Sequence, residues 1–427
     1  MSLWAFRFLL FYICILFVQP QNRFTFLYPY HIADISIIVA TCLHVAACMR
    51  EKRPLVRMGP ATVTALFLMA VGLTAQYLGP LQINSAWNSY IDRLMKAAYL
   101  CILVEAMADT VQRVWAVQMT MLVATLWWIK AGLRLAISGA TYYDDRIMGP
   151  AVSIVENPNG FAFMMCIMIP IYLYAYHRAE HKWVRWMFLG LALAGVYIVL
   201  QTGSRTGMII LFVIAVFLIP KYGMERKTAL IAGTAAIFLI VSLVSPGNIR
   251  RLKTIPKALK GALLGETAPP GVLDRDMLSA QDRRLKMRDT WALVRRYPFG
   301  VGMAPDDNLV AREFAYAAGQ VHCEILMAGR QMGFLGMGAY LTLLLTMYLR
   351  GRRVQRMLVR SWPEVSDIGW TFKMQAVTIA VGGFFSPLPW NPVTLILAAS
   401  ASSLLAAVRS EVRQPASLMV PAAVPAG

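Results

Sequence analysis

Residues 186–220 read WMFLGLALAGVYIVLQTGSRTGMIILFVIAVFLIP, and Arg205 is the one charged side chain in the stretch. Two apolar runs, 186–202 and 207–220, flank a turn of glycine and small polar residues. About 20 apolar residues carry a helix across the hydrocarbon core of a bilayer. In lipid the backbone amides must pair within their own segment, which a helix achieves. The stretch therefore predicts a helical hairpin in a membrane, with an arginine at its turn.

The rest of the chain repeats this pattern. Of its 427 residues 58% are hydrophobic and 15% charged, against about 45–50% and about 25% in soluble domains. An ordinary soluble enzyme is excluded. So is a disordered or collagen-like chain, because Gly and Pro are not enriched. Twelve spans are predicted, at 3–19, 31–48, 61–79, 92–109, 114–139, 158–177, 186–202, 207–220, 228–246, 331–349, 369–387 and 391–408. The predicted fold is all-α and polytopic, with nine spans in 1–246, a loop region at 247–330, three spans in 331–410 and a tail at 411–427. The fourth span is the weakest, with Arg93, Lys96 and Glu105 in or near it, and the fifth carries Lys130 and Arg134. The first is not a cleaved signal peptide: Arg7 lies within it and Gln19-Pro20 is no small-residue cleavage site.

The net charge is +19. With the N-terminus inside and the spans alternating, short inner loops hold 18 Lys/Arg and the outer turns and adjoining helix ends hold 5. This matches the positive-inside rule, so no nucleic-acid partner is needed to account for those cations. The loop at 247–330 is different. It lies outside in this topology and holds 14 Lys/Arg with 9 Asp/Glu. Long loops are exempt from the rule, so this charge needs another reason.

Within the loop, 250–264 reads as a basic amphipathic stretch suited to the headgroup layer. A helix is predicted over 279–297, with Ser279 and Asp282 as a capping box and Pro298 as its stop. Arg284, Arg288, Trp291 and Arg295 share one face of it. Two readings fit that stripe: guanidinium forks gripping an anion, or a surface turned to lipid headgroups. His322, at the lip of the tenth span, is suited to proton transfer near neutral pH; a structural histidine at a helix start is the competing reading. Arg205 either snorkels to the interface or marks a substrate path, and its glycines allow an anion close to the backbone. Five of the six cysteines lie in spans and only Cys323 in the loop, so no disulfide framework or zinc spacing exists. The acidic pairs Asp144-Asp145 and Asp306-Asp307 are sequence neighbours that diverge on a helix, so no metal site is expected.

Four islands together resemble the O-antigen ligase/polymerase superfamily of bacterial envelope glycosyltransferases. Asn157-Pro158-Asn159-Gly160-Phe161 opens the sixth span, and Gly203-Ser204-Arg205-Thr206-Gly207 resembles the family's Ser-Arg-x-Gly turn. Arg288-Asp289-Thr290-Trp291 through Pro298-Phe299-Gly300-Val301-Gly302 resembles its Arg-x-x-Trp helix closed by Pro-x-x-Gly-x-Gly. His322 precedes Gly333-Phe334-Leu335-Gly336, again in family order. Cys323 and Ile325 depart from the pattern, standing where the family carries Asn or Ser and an aromatic residue.

The resemblance implies a GT-C-like membrane enzyme of the bacterial inner membrane, with its active site on the periplasmic side. Its donor would be an undecaprenyl-diphosphate-linked glycan and its acceptor a sugar hydroxyl of lipid A–core. Arg205 and Arg288 would bind the diphosphate and His322 would act as general base or orient the acceptor. Arg284, Trp291, Arg295, Ser204 and Asn159 would contact substrate, with no metal and no cofactor. Polymerase and protein O-oligosaccharyltransferase activities share these motifs; the late single loop favours the ligase. A transporter of anionic lipid-linked glycans is the alternative from another class. It requires ionisable residues along a path through the bundle and discontinuous helices.

Overall fold

The computed structural model describes residues 2–80, 89–139, 146–150, 155–222, 275–303, 321–385 and 390–413. Among these there is no strand, so the all-α expectation holds. The helices are α1 (Leu3–Val18), α2 (Pro20–Arg23), α3 (Ile32–Glu51), α4 (Pro60–Leu78), α5 (Ser89–Met107), α6 (Val111–Ile137), α7 (Pro158–Arg178), α8 (Lys182–Gln201), α9 (Arg205–Tyr222), α10 (Arg275–Arg296), α11 (Glu324–Leu358), α12 (Pro363–Gly383) and α13 (Pro392–Arg413). Proline occupies the first turn of α4, α7 and α12, where its fixed φ suits a helix start and no amide bond is lost.

Among the described residues eight helices are long and apolar enough to cross a membrane, against twelve spans predicted over the whole chain. The protein is a polytopic membrane protein by this measure. The predicted span 228–246 lies outside the described residues, as do the stretch 250–264 and most of the tail. The apolar part of α9 is short, Arg205–Leu218. The helices α5 and α12 form where predicted but are too polar to count. Their packing explains this. Helix α5 lies against α4 and α13, and α12 lies against α11, α7 and α9. A helix covered by protein needs less apolar surface than one facing lipid.

The core lies along α7 and α13, most of whose residues are buried. The helices alternate in direction, which sorts their ends into two groups. At one end Arg178 pairs with Glu364 at 2.6 Å and Lys221 with Asp367 at 2.8 Å. At the other, the backbone amide of Ile147 donates to Gln201, and that of Val301 to Arg330.

The charges in the predicted fourth and fifth spans do not line a path. Glu105 is buried at the α5 end and accepts from the Thr62 amide at 2.6 Å. The N-cap of α4 is Gly59, which has no side chain to cap with. A carboxylate from the neighbouring helix thus satisfies the orphan amide and complements the positive helix end. Lys96 pairs with Asp92 one turn earlier. Lys130 and Arg134 are exposed on the outside of α6, Lys130 over the Trp127 ring.

Candidate functional site

Three residues, Thr202 to Ser204, link α8 to α9, so Arg205 is the first residue of α9. Gly203 takes φ +59°, a conformation nearly free for glycine and costly for others. The Thr202 hydroxyl donates to the Val199 carbonyl at 2.6 Å and accepts from the Ser204 amide at 3.2 Å. The Ser204 hydroxyl accepts from the Gly207 amide at 3.3 Å. Ser204 therefore caps α9, as serine does at helix starts. A Cβ on Gly207 would lie 2.8 Å from both Ala162 and Val199, so this glycine lets α9 approach α7 and α8. The turn is rigid, and Arg205 leaves it half-buried.

A second arginine holds the turn from outside. Arg146 donates from Nε to the Thr202 carbonyl at 2.7 Å and from Nη2 to Asn159 Oδ1 at 2.8 Å. Asn159, expected to contact substrate, thus has its carbonyl oxygen engaged by Arg146. Asn157 caps α7 by accepting from the Gly160 amide at 2.7 Å. The Asn-Pro-Asn-Gly and Gly-Ser-Arg-Thr-Gly motifs meet here through Arg146, which the sequence reading did not single out.

The loop helix α10 is helical from Arg275, earlier than the predicted start at 279. Ser279 and Asp282 lie within it, and Asp282 pairs with Lys286 at 2.7 Å. Its buried side is Thr290, Leu293 and Val294, with Met287 half-buried one turn before. That side packs on α11. Arg284, Arg288, Trp291 and Arg295 occupy the adjoining face and are exposed. Arg288 reaches Asp289 at 3.2 Å, and Trp291 meets Phe334 edge-on at 5.9 Å.

Arg283 lies on the packed side of α10. Its guanidinium is half-buried, and its pKa is lowered first by burial and then by the charge of Arg205. Near the same face Met287 packs on Val321, Cys323 and Met327, the residues flanking His322. One side of α10 thus packs on the His322 stretch. A signal existed in the sequence: Arg283, Met287, Thr290 and Val294 repeat at the same spacing as the Arg/Trp stripe, shifted by one residue.

The Pro-x-x-Gly-x-Gly and Gly-x-x-Gly motifs meet in the backbone. Helix α11 is interrupted at Gly333, which has φ +66° and ψ −159°. The interruption frees carbonyls on one side and an amide on the other. The amides of Val301 and Gly302 donate to the carbonyls of Arg330 and Gln331, at 2.8 and 3.2 Å, and the Phe334 amide donates to Pro298 at 2.9 Å. A Cβ on Gly333 would run into the Pro298 carbonyl, and one on Gly300 would meet the backbone of Gln331 and Met332. The segment after α10 is thereby locked onto α11 close beneath His322, which is half-buried. The predicted domain boundary at 330/331 falls inside α11, just before this break.

A buried polar group that the sequence did not reveal lies under the break. Trp390, itself at φ +60°, donates from Nε1 to Gln331 Oε1 at 2.8 Å. The Tyr340 hydroxyl donates to Glu324. Glu324, Arg330 and Gln331 are all fully buried.

Among the described residues no group of His, Cys, Asp and Glu is spaced to hold a metal ion. Fold and site together define a polytopic helical membrane protein whose motif arginines and histidine belong to one end of the bundle. Residues 189–341 match the model of the O-antigen ligase family, in agreement with the O-antigen ligase/polymerase superfamily. The matched stretch runs from α8 through the break in α11 and contains Arg205, Arg288 and His322. No curated protein matches the chain.

Proposed function

We propose that the protein is an O-antigen ligase of the bacterial inner membrane, acting at the periplasmic face. The family match supports a ligase- or polymerase-type glycosyl transfer. The donor on this reading is a polysaccharide on undecaprenyl diphosphate, and the acceptor is a hydroxyl of lipid A–core. The single observation that carries the reading is that α10, the helix of Arg288, packs through Met287 on the residues flanking His322, within the stretch matched to the family.

The reaction is one displacement at the anomeric carbon. The bond from acceptor oxygen to C1 forms as the bond from C1 to the phosphate oxygen breaks, so configuration inverts. The hydroxyl proton passes to His322 acting as general base. Undecaprenyl diphosphate leaves with the electron pair, and Arg205 and Arg288 stabilise its growing charge through charge-assisted hydrogen bonds. A rigid, glycine-built turn under Arg205 favours this role, because pre-placed donors need no reorganisation during the reaction. Transport is disfavoured. Lys130 and Arg134 face outward and Glu105 is used as a helix cap at the far end.

The test is glycoform analysis in cells carrying His322→Ala. Uncapped lipopolysaccharide together with accumulated long lipid-linked glycan supports the ligase. Capping retained with single repeats only indicates a polymerase. Unchanged glycoforms reject both.

A further inference from the structure

At the end of the bundle that holds Arg178 and Lys221, a cavity of about 220 Å³ lies between the close of α3, the loop 52–59 and the close of α5. Ala47, Cys48 and Ala106 form its inner wall, small side chains that leave the space open. The loop wall is pinned at both ends. The Arg53 amide donates to the Cys48 carbonyl at 3.0 Å, and the buried His44 holds the Leu55 carbonyl at 2.9 Å. A carbonyl only accepts, so the His44 ring donates through Nε2. Further along, the Gly59 amide donates to the Arg57 carbonyl at 2.8 Å, and a Cβ on Gly59 would strike the Glu105 carboxylate that caps α4. The cavity is therefore built into the fold. Beside it Met49, Leu55, Val56 and Met58 are exposed, and apolar side chains exposed together at the ends of membrane helices mark contact with lipid.

Charges of both signs face this space. Arg57 lines it half-buried, and among the described residues it makes no hydrogen bond or ion pair. Arg53 stands exposed at the rim, 3.2 Å from Glu51. Asp109 also lines the cavity; its Oδ1 accepts from Arg113 at 2.8 Å, and among the described residues no donor reaches its Oδ2. An ion of one sign meets a like charge here, whereas a zwitterion with phosphate and ammonium a few bonds apart meets a partner for each. An arginine fork takes phosphate oxygens, and a carboxylate takes an ammonium that still carries N–H donors. One water needs only about 10–15 Å³ of such space, so 220 Å³ is ample for a phosphate with a short ammonium arm. We propose that this cavity binds the headgroup of a phosphatidylethanolamine-type lipid, its phosphate against Arg57 and its primary ammonium against Asp109. The acyl chains then lie along the exposed apolar side chains of the loop. The site is separate from the reaction proposed for the opposite end.

The test is native mass spectrometry of the full chain released from nanodiscs holding equal amounts of phosphatidylethanolamine, phosphatidylcholine and phosphatidylglycerol. Wild type is expected to retain phosphatidylethanolamine over both others, because phosphatidylcholine keeps the charge but offers no N–H, and phosphatidylglycerol lacks the cation. Retention should fall stepwise as the ammonium is methylated once, twice and three times, a readout that needs no variant. Arg57→Gln should retain the lipid about tenfold less, the usual effect of losing one charge-assisted hydrogen bond. Asp109→Asn should retain ethanolamine and choline lipids alike, whereas Arg113→Gln should keep the preference. Ala106→Leu fills the space without altering a charge and should abolish retention, with circular dichroism as the check on folding. Equal retention of ethanolamine and choline lipids by wild type, a preference for phosphatidylglycerol, or an unchanged preference in both Arg57→Gln and Asp109→Asn overturns the proposal. Displacement of the lipid by soluble glycerophosphoethanolamine assigns the cavity to a soluble zwitterion and overturns it as well.

Discussion

At the end of the bundle that holds Arg178 and Lys221, cations meet carboxylates. Arg178 lies 2.6 Å from Glu364, Lys221 lies 2.8 Å from Asp367, and Arg113 lies 2.8 Å from Asp109. The opposite end is organised differently. There Arg146 gives its N–H groups to a carbonyl and an amide oxygen. Both ends are rich in arginine, yet among the described residues only the first joins cations to carboxylates from one helix to another. Matched or solvated cations are what membrane topology alone requires. Arginines held on a rigid scaffold of backbone and amide oxygens suit an anionic substrate.

The comparison breaks most severely at His322. If the end that holds Arg205 is catalytic, His322→Ala lowers glycosyl transfer by about 10²–10⁴-fold, measured with purified protein and lipid-linked donor. Retained secondary structure by circular dichroism separates this from unfolding. Transfer within twofold of wild type would remove the distinction between the two ends.

Gly333→Ala tests the backbone lock. The new Cβ meets Pro298 and demands a positive φ from alanine. Losing the three inter-segment hydrogen bonds and straining the backbone costs about 3 kcal/mol or more. A clear drop in the thermal midpoint is expected, with transfer lost in parallel. An unchanged midpoint would mean that the 298–302 segment is not held by the break.

Arg146→Gln removes the tie between the two motifs without touching Arg205 itself. Transfer should fall by roughly tenfold, since one charge-assisted hydrogen bond is worth about 1.5–3 kcal/mol. The fall should appear in kcat, as expected where turn geometry matters in the transition state. A fall confined to KM would instead mark Arg146 as a binding residue.

The smallest effect is expected at the matched end. Lys221→Gln breaks a pair that is partly exposed, with side chains 17% and 34% accessible. Such pairs contribute about 0–1 kcal/mol, so stability should shift by that much and transfer should stay within about twofold. A large loss of transfer would show that both ends serve the reaction.

Much of the fold was legible because hydropathy is a local property. Eleven of the twelve predicted spans coincide with helices, and the twelfth lies outside the described residues. Which of those helices qualify as spans was less legible. Helix α5 is polar because α4 and α13 cover it, and neighbours cannot be read from one segment. The Arg-x-x-Trp motif located α10 but left open which of its faces packs inward. Two stripes of identical spacing lie one residue apart, about 100° around the helix. Only packing against α11 selects between them. Asn159 was legible as a motif residue, whereas its partner Arg146 stands 13 residues earlier in no motif.

By itself the sequence determined that this chain is helical, crosses a membrane several times, and sorts its cations to the two sides of that membrane. It also supplied the glycines at 203, 300, 302 and 333, all of which take positive φ. Those properties follow from side-chain transfer energies and backbone sterics, which act residue by residue. The tertiary structure decided that Gly333 interrupts α11, that the carbonyls so freed are met by the segment after α10, and that Arg146 ties Asn159 to the Thr202 turn. These depend on which polar groups are left to be satisfied once helices pack, and no single segment contains that information.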